Sequence, residues 1–440
     1  MKRIPLVLLL PLLLCSCGGG ALPRPSKAQL DWQDMEMNMF CHFGPNTFSG
    51  LEWGDGTEPE DMFAPTALDC RQWAATARAA GFKGIIITAK HHDGFCLWPN
   101  PESTHTVAQS SWRDGTGDVL AELSAACREY GLKFGVYISP WDRHDPHYGT
   151  PEYNDVFVRT LESVHSGAYG PVFEQWFDGA NGEGPSERRQ VYDWQRFNAT
   201  VLKYNPSAVI FSDVGPGCRW VGNELGSAGE TCWSCLSPEG FEPGAGAPSA
   251  DTLNCGQRYG SAWIPAETDV SIRPGWFWKA SETPLLKTVD ELVDIYFKSV
   301  GRNSLLLLNV PPDVRGLIDA ADSLRLMEFR AELDRIFSRD LAAGAKLRRH
   351  GRGEYRLSFP GPARFNLLVL EEDIFRGQKI AAFAVDALVD GSWQEIAAGT
   401  TVGRKRILEL PETTSGTLRI RIPDSITSGA SLKAVHLYLR

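Results

Sequence analysis

Asp178 ends an apolar run at residues 173–177, with Trp176 two positions before it, and Gly179-Ala180-Asn181 breaks the run off at once. That pattern reads as a short buried strand delivering one carboxylate to its carboxyl end. Side chains in a strand alternate, so Trp176 is expected on the face of Asp178. An aromatic face beside a carboxylate suits a sugar, which offers an apolar C–H face and a reactive anomeric carbon. A loop-fixing or helix-capping aspartate is the competing reading, and the neighbouring strand ends weigh against it. His42 lies in Cys41-His42-Phe43-Gly44, and His91 and His92 precede Asp93-Gly94-Phe95. Tyr137, the stretch Arg219-Trp220-Val221-Gly222-Asn223-Glu224, and Trp276 complete the set. A neutral imidazole both donates and accepts, which matches a hydroxyl. His91 and His92 can both face a ligand only where the strand has already broken. No His-x-His or His/carboxylate pair stands at ligand spacing, so no metal is expected.

The elements that must position these groups alternate along residues 29–342. Apolar runs at 37–43, 84–89, 134–139, 173–178, 208–212, 270–278 and 304–310 read as strands. Amphipathic stretches at 68–80, 118–130, 151–166, 186–204, 289–300 and 318–337 read as helices, two of them closed by Gly81 and Gly131. Near-continuous apolar strands alternating with helices imply a parallel sheet, and this many imply an α/β chain closed as a (β/α)8-like barrel. Active groups in such a barrel collect at the carboxyl ends of its strands. Residues 213–267 are rich in Gly, Pro, Ser and Cys and show no convincing helix, which marks a functional insert. From 346 to 440 the period changes to two, with turns between the runs, predicting a C-terminal antiparallel β-sandwich.

At 440 residues the chain is long enough for two domains, and 43% hydrophobic with 22% charged residues is ordinary for a globular protein. A formal net charge of −10 without a Lys/Arg stripe argues against a nucleic-acid partner. Fourteen tryptophans point toward carbohydrate contact. Met1-Lys2-Arg3 and the apolar run 4–14 form an export signal too short to span a bilayer as a helix. Leu14-Cys15-Ser16-Cys17 resembles a bacterial lipobox, with residues 1–17 as leader, Cys17 as the lipidated residue and 18–28 as tether. An ordinary secretion signal is the alternative. The expected address is therefore periplasmic or cell-surface, with membrane contact only through the anchor. The eight cysteines beyond the leader are scattered through predicted core elements, so buried free thiols are expected, with at most one loop disulfide.

Cys41-His42-Phe43-Gly44, Ala89-Lys90-His91-His92-Asp93-Gly94-Phe95 and Trp176-Phe177-Asp178-Gly179 resemble, in order and spacing, the alpha-L-fucosidases of glycoside hydrolase family 29. The resemblance covers the whole predicted barrel. It implies a retaining exo-hydrolase with Asp178 as nucleophile, and fucose held by His42, His91, His92, Tyr137, Trp176 and Trp276. Trp53 and Glu58 are implied near the rim. The stretch 219–224 looks like the subgroup that releases alpha-1,3- and alpha-1,4-linked fucose from branched glycans, which makes Glu224 the acid/base, with Glu230 and Glu267 as fallbacks. Fucosylated oligosaccharides or glycoconjugates are the implied partners, and the two-carboxylate reaction calls for no cofactor. A broader fucosidase and a non-catalytic glycan-binding lipoprotein are the alternatives.

Overall fold

A computed structural model describes residues 22–440. The export signal, Cys17 and the start of the tether lie outside the described residues. Eight strands close a barrel in which each pairs in parallel with its chain neighbours and the last returns to the first. They are Met37–Cys41, Gly84–Lys90, Lys133–Ile138, Val172–Trp176, Val209–Ser212, Cys218–Trp220, Ala266–Ser271 and Leu305–Asn309. Most are buried along their whole length, which is why several show in the sequence as largely apolar runs.

Helix ends follow their caps. Asp69 and Asp118 accept backbone N–H groups at the starts of Cys70–Ala80 and Val119–Tyr130, and Gly81 and Gly131 take left-handed φ at their ends. Asp193 caps Trp194–Tyr204, so that helix starts eight residues after the expected 186. The helix Lys27–Gln33, capped by Ser26, begins inside the stretch read as tether. Its Trp32 joins the barrel-interior cluster and donates an indole hydrogen bond to Glu174 at 2.8 Å. This helix plugs the barrel end opposite the predicted site.

Two barrel strands depart from expectation. Cys218–Trp220 is a sixth strand that periodicity missed, because Arg219 interrupts its apolar run. The seventh is Ala266–Ser271 rather than 270–278, since residues 272–278 have already left the sheet. Between them the insert 221–265 is folded, with a short helix, Ala250–Cys255, and a hairpin of Cys235–Leu236 with Ala262–Trp263. Arg219 organises it. Its guanidinium is fully buried and donates to the carbonyls of Leu253 (2.8 Å), Trp233 (3.0 Å) and Ile264.

The carboxy-terminal domain is an antiparallel sheet of six strands. Its two long strands, Glu354–Glu372 and Arg406–Ser425, pair with register shifts near residues 358–367. Side chains from both halves, including Leu357, Leu370, Leu418 and Leu437, enter one buried cluster. Ala342 belongs to that cluster and Leu341 packs against it, ahead of the expected start of the domain at 346. The sheet braces the insert: Gln378 accepts from the Ser234 N–H (2.7 Å) and donates to the Cys232 carbonyl (3.1 Å), and Arg258 pairs with Asp424.

Candidate active site

The carboxyl ends of the first three strands build an aromatic and imidazole wall. His42 follows the first strand, and its Nδ1 lies 2.9 Å from Asn309 Oδ1. Asn309 donates its amide to Ser271 Oγ (2.9 Å) and the Trp276 carbonyl (2.8 Å), which leaves Oδ1 to accept from His42. Nδ1 therefore carries the proton and Nε2 is an acceptor. His91 and His92 lie just past the second strand, which stops at Lys90, so both rings turn toward the same side with centroids 4.2 Å apart. Gly94 makes that turn at φ +89°, where a Cβ would strike Asp142 Oδ1 at 2.6 Å. The Ser139 hydroxyl donates to the Trp141 carbonyl (2.9 Å) and so accepts from His92 Nδ1 (2.8 Å), again freeing Nε2. Burial holds all three imidazoles neutral, lowering His42 to about 3, His92 to about 4 and His91 well below its usual value.

Asp178 stands two residues beyond the fourth strand, partly open to solvent. Its Oδ2 accepts from the Tyr137 hydroxyl (3.0 Å) and lies 3.8 Å from His92 Nε2, while Oδ1 accepts from the Ala180 N–H (2.7 Å). Burial and the Asp178 charge push the Tyr137 phenol well above its usual pKa, so it remains a donor. Trp176 stacks on Phe211 at 3.8 Å and on Tyr137 at 5.4 Å. A cavity of about 250 Å³ opens here, lined by Trp176, Asp178, Phe211, Asp213, Trp220, Glu224 and Asp269.

Glu224 reaches this cavity from a tight turn after the sixth strand, where Asn223 accepts from the Leu225 N–H (3.0 Å) and donates to the Ser227 carbonyl (2.9 Å). Its Oε2 accepts from the Trp276 indole at 3.3 Å. Glu224 is exposed at the cavity's edge; its partial desolvation raises its pKa, the Trp276 hydrogen bond opposes that, and the Asp178 charge adds to it. Trp276 sits in a loop rather than a strand. That loop is held by Arg273, which is fully buried and paired through two hydrogen bonds (2.9 and 2.8 Å) with Asp322. Its ring packs against His42 at 4.9 Å.

The remaining expectations fare unevenly. Trp53 is 57% exposed and stands edge-on to His92 and Trp141, both at 5.6 Å, as a rim aromatic should. Glu58 instead turns into its own loop, accepting from the Asp55 (2.7 Å) and Gly56 (2.9 Å) N–H groups. Glu52 in the same loop accepts from the Trp276 N–H (2.9 Å) and pairs with Lys279. Neither fallback acid lines the cavity. Glu267 is fully buried in the barrel interior, where it accepts from the Trp176 indole (3.0 Å), and burial beside Glu174 drives its pKa well up. Glu230 is 79% exposed and lies beside Arg302 and Arg406 at the seam with the carboxy-terminal sheet.

Sequence reasoning missed Asp213 and Asp269, which share the cavity, and Lys90. Lys90 Nζ pairs with Asp142 (2.9 Å) and donates to the Ser139 carbonyl (2.8 Å), with both side chains buried. That pair ties the second strand's end to the third's and so fixes the partner of His92. The eight described cysteines are free thiols, so the insert carries no disulfide among them. Glu174, Cys218 and Glu267 could in type ligate a metal, but they lie in the barrel interior, where the Trp32 and Trp176 indoles donate to the two carboxyl groups.

A parallel barrel whose strand ends bring carboxyl groups and stacking aromatics to one small cavity, beside a wall of neutral imidazoles, has the arrangement of a glycoside hydrolase. The family model described as alpha-L-fucosidase matches residues 27–333, and the chain belongs to that family. It is 43% identical over 420 residues to alpha-L-fucosidase 1 of Arabidopsis thaliana, covering 88% of this chain and 82% of that protein. The crystal structure of a glycoside hydrolase 29 family member from an unknown rumen bacterium superposes with a TM-score of 0.89 at 40% identity, covering 95% of this chain and 78% of that one. A Ruminococcus gnavus family 29 fucosidase solved in complex with fucose gives 0.85 at 30% identity, covering 96% of each chain. The protein is thus an alpha-L-fucosidase of glycoside hydrolase family 29, and retention is the stereochemistry supported at family level.

Proposed function

We propose that Asp178 is the nucleophile and Glu224 the acid/base of a retaining alpha-L-fucosidase that releases terminal alpha-1,3- or alpha-1,4-linked fucose from branched glycans. The observation that carries this reading is the shared cavity, which Asp178 and Glu224 both line, from beyond the fourth and the sixth strand. Tyr137 and the Ala180 N–H orient one carboxylate, while partial desolvation and the Asp178 charge favour the protonated form of the other. Ionised Asp178 attacks the anomeric carbon as Glu224 donates its proton to the departing glycosidic oxygen. Water, deprotonated by Glu224, then cleaves the beta-linked fucosyl-enzyme and returns alpha-fucose. His42, His91 and His92 present neutral ring nitrogens to the sugar hydroxyls, and Trp276 closes the wall. Arg219-Trp220-Val221-Gly222-Asn223-Glu224 supports the linkage preference. The leader sequence supports export and anchoring through a lipid on Cys17.

Incubation with a Lewis-type trisaccharide beside an aryl alpha-L-fucoside, reading released fucose, tests the reading. Preferential release from the trisaccharide is expected. Equal release also from alpha-1,2- and alpha-1,6-linked oligosaccharides would refute the linkage preference. Asp178→Asn should lower turnover by several orders of magnitude with an unchanged melting curve, and near-normal activity would exclude it as nucleophile.

A further inference from the structure

The cavity contains a carboxyl group that the mechanism above leaves unused. Asp269 is 3% exposed and comes from the seventh strand, Ala266–Ser271. Side chains two apart share a strand face. Glu267 points into the barrel and meets the Trp176 indole, so Asp269 stands on the same face one layer nearer the carboxyl end, where it lines the cavity. Its Oδ1 has no hydrogen-bond partner among the described residues. A buried polar atom left unpaired is costly, so native proteins nearly always satisfy it. Trp220 lines the same cavity and its side chain favours the charged Asp269, but Oδ1 stays unpaired, which leaves that atom's partner to come from what fills the cavity.

The strand order shows which part of that occupant Asp269 meets. Around the barrel it lies between the sixth strand, which leads to Glu224, and the eighth and first, which lead to Asn309 and His42. The histidine wall beyond the first and second strands therefore lies along one arc of the barrel mouth, and Asp269 along another. Burial, reinforced by the charges of Glu224 and Asp178, outweighs the hydrogen bonds from the backbone and from Trp220 and holds the Asp269 carboxyl well above its usual pKa. A protonated carboxyl both donates and accepts, as a sugar hydroxyl does, and adds no negative charge beside the Asp178 carboxylate.

We propose that Asp269 is a sugar-recognition residue whose carboxyl hydrogen-bonds one ring hydroxyl of the fucosyl unit held between Asp178 and Glu224. The assignment rests on the fucosidase reading of this cavity. It differs from a structural role in one respect: its effect must depend on a particular hydroxyl of the substrate.

The test compares kcat/KM of wild type, Asp269→Ala and Asp269→Asn on an aryl alpha-L-fucoside and on its 2-, 3- and 4-deoxy analogues. Asp269→Ala should lose about 10–100-fold on the parent fucoside. For one analogue that loss should largely vanish, because the group that Asp269 binds is already missing. Asp269→Asn, which keeps one donor and one acceptor, should recover most of the activity. Matching melting curves separate these effects from unfolding. Losses that multiply independently for all three analogues would overturn the assignment while leaving the fucosidase reading intact. Absence of fucose release by the wild type from both the aryl fucoside and a Lewis-type trisaccharide would instead overturn the fucosidase reading itself.

Discussion

Removing Glu224 separates the two half-reactions. Glu224→Ala deletes a carboxyl group whose one hydrogen-bond partner among the described residues is the Trp276 indole, at 3.3 Å. The Asp178 contacts to Tyr137, Ala180 and His92 involve none of its atoms, so nucleophilic attack should remain competent. What disappears is proton donation to the leaving group, worth about 10²–10⁴-fold in rate, or about 3–5 kcal/mol of barrier. A sugar alkoxide needs that proton and a nitrophenolate hardly does. Release of fucose from a branched oligosaccharide should therefore fall by the full factor. Formation of the fucosyl-enzyme from a nitrophenyl fucoside should fall by less than about tenfold, followed by slow hydrolysis for want of a base. Pre-steady-state kinetics should show a burst of nitrophenol, and azide, which needs no deprotonation, should restore turnover. Azide attack on a beta-linked intermediate gives alpha-fucosyl azide, to be identified by NMR. Equal losses on both substrates without azide rescue would refute the role of Glu224. Beta-fucosyl azide would refute retention.

Trp276→Phe removes a hydrogen bond that favours ionised Glu224, so the acid should keep its proton to higher pH. The basic limb of the kcat/KM profile should move upward even as sugar binding weakens, and a limb that moves down or stays in place would contradict the contact. Lys90→Ala leaves Asp142 buried without its partner and should cost about 3–5 kcal/mol of stability, read as an earlier urea midpoint; a loss under about 1 kcal/mol, the usual worth of an exposed pair, would mean that the pair is not desolvated. Cys17→Ser should yield an unlipidated product, and intact-mass analysis showing an unmodified, trimmed N-terminus on the unaltered protein would remove the anchor.

The elements of the barrel that could be read along the chain are those whose cause is local. A run of four leucines, as in Leu305–Asn309, marks burial on both faces, and an aspartate at one end with a glycine at the other bounds Cys70–Ala80. The strands that escaped carry polar side chains with distant partners. Arg219 breaks the sixth strand's pattern because its guanidinium serves three carbonyls of the insert. In the seventh strand Glu267 and Asp269 face the barrel interior, so no apolar run announces it, and the apolar stretch following it proved to be a loop.

The candidate site divides in the same way. Motif and strand-end position were enough to single out His42, His91, His92, Tyr137, Trp176 and Asp178, because each follows or closes a recognisable strand. Glu52, Lys90, Asp213 and Asp269 could not be found so. Their placement depends on chain closure. Glu52 meets Trp276 across 224 residues, and Asn309 sets the His42 tautomer across 267. Periodicity and caps record interactions within a few residues of one another, whereas hydrogen bonds of this kind exist only after eight strands have come round to a common end.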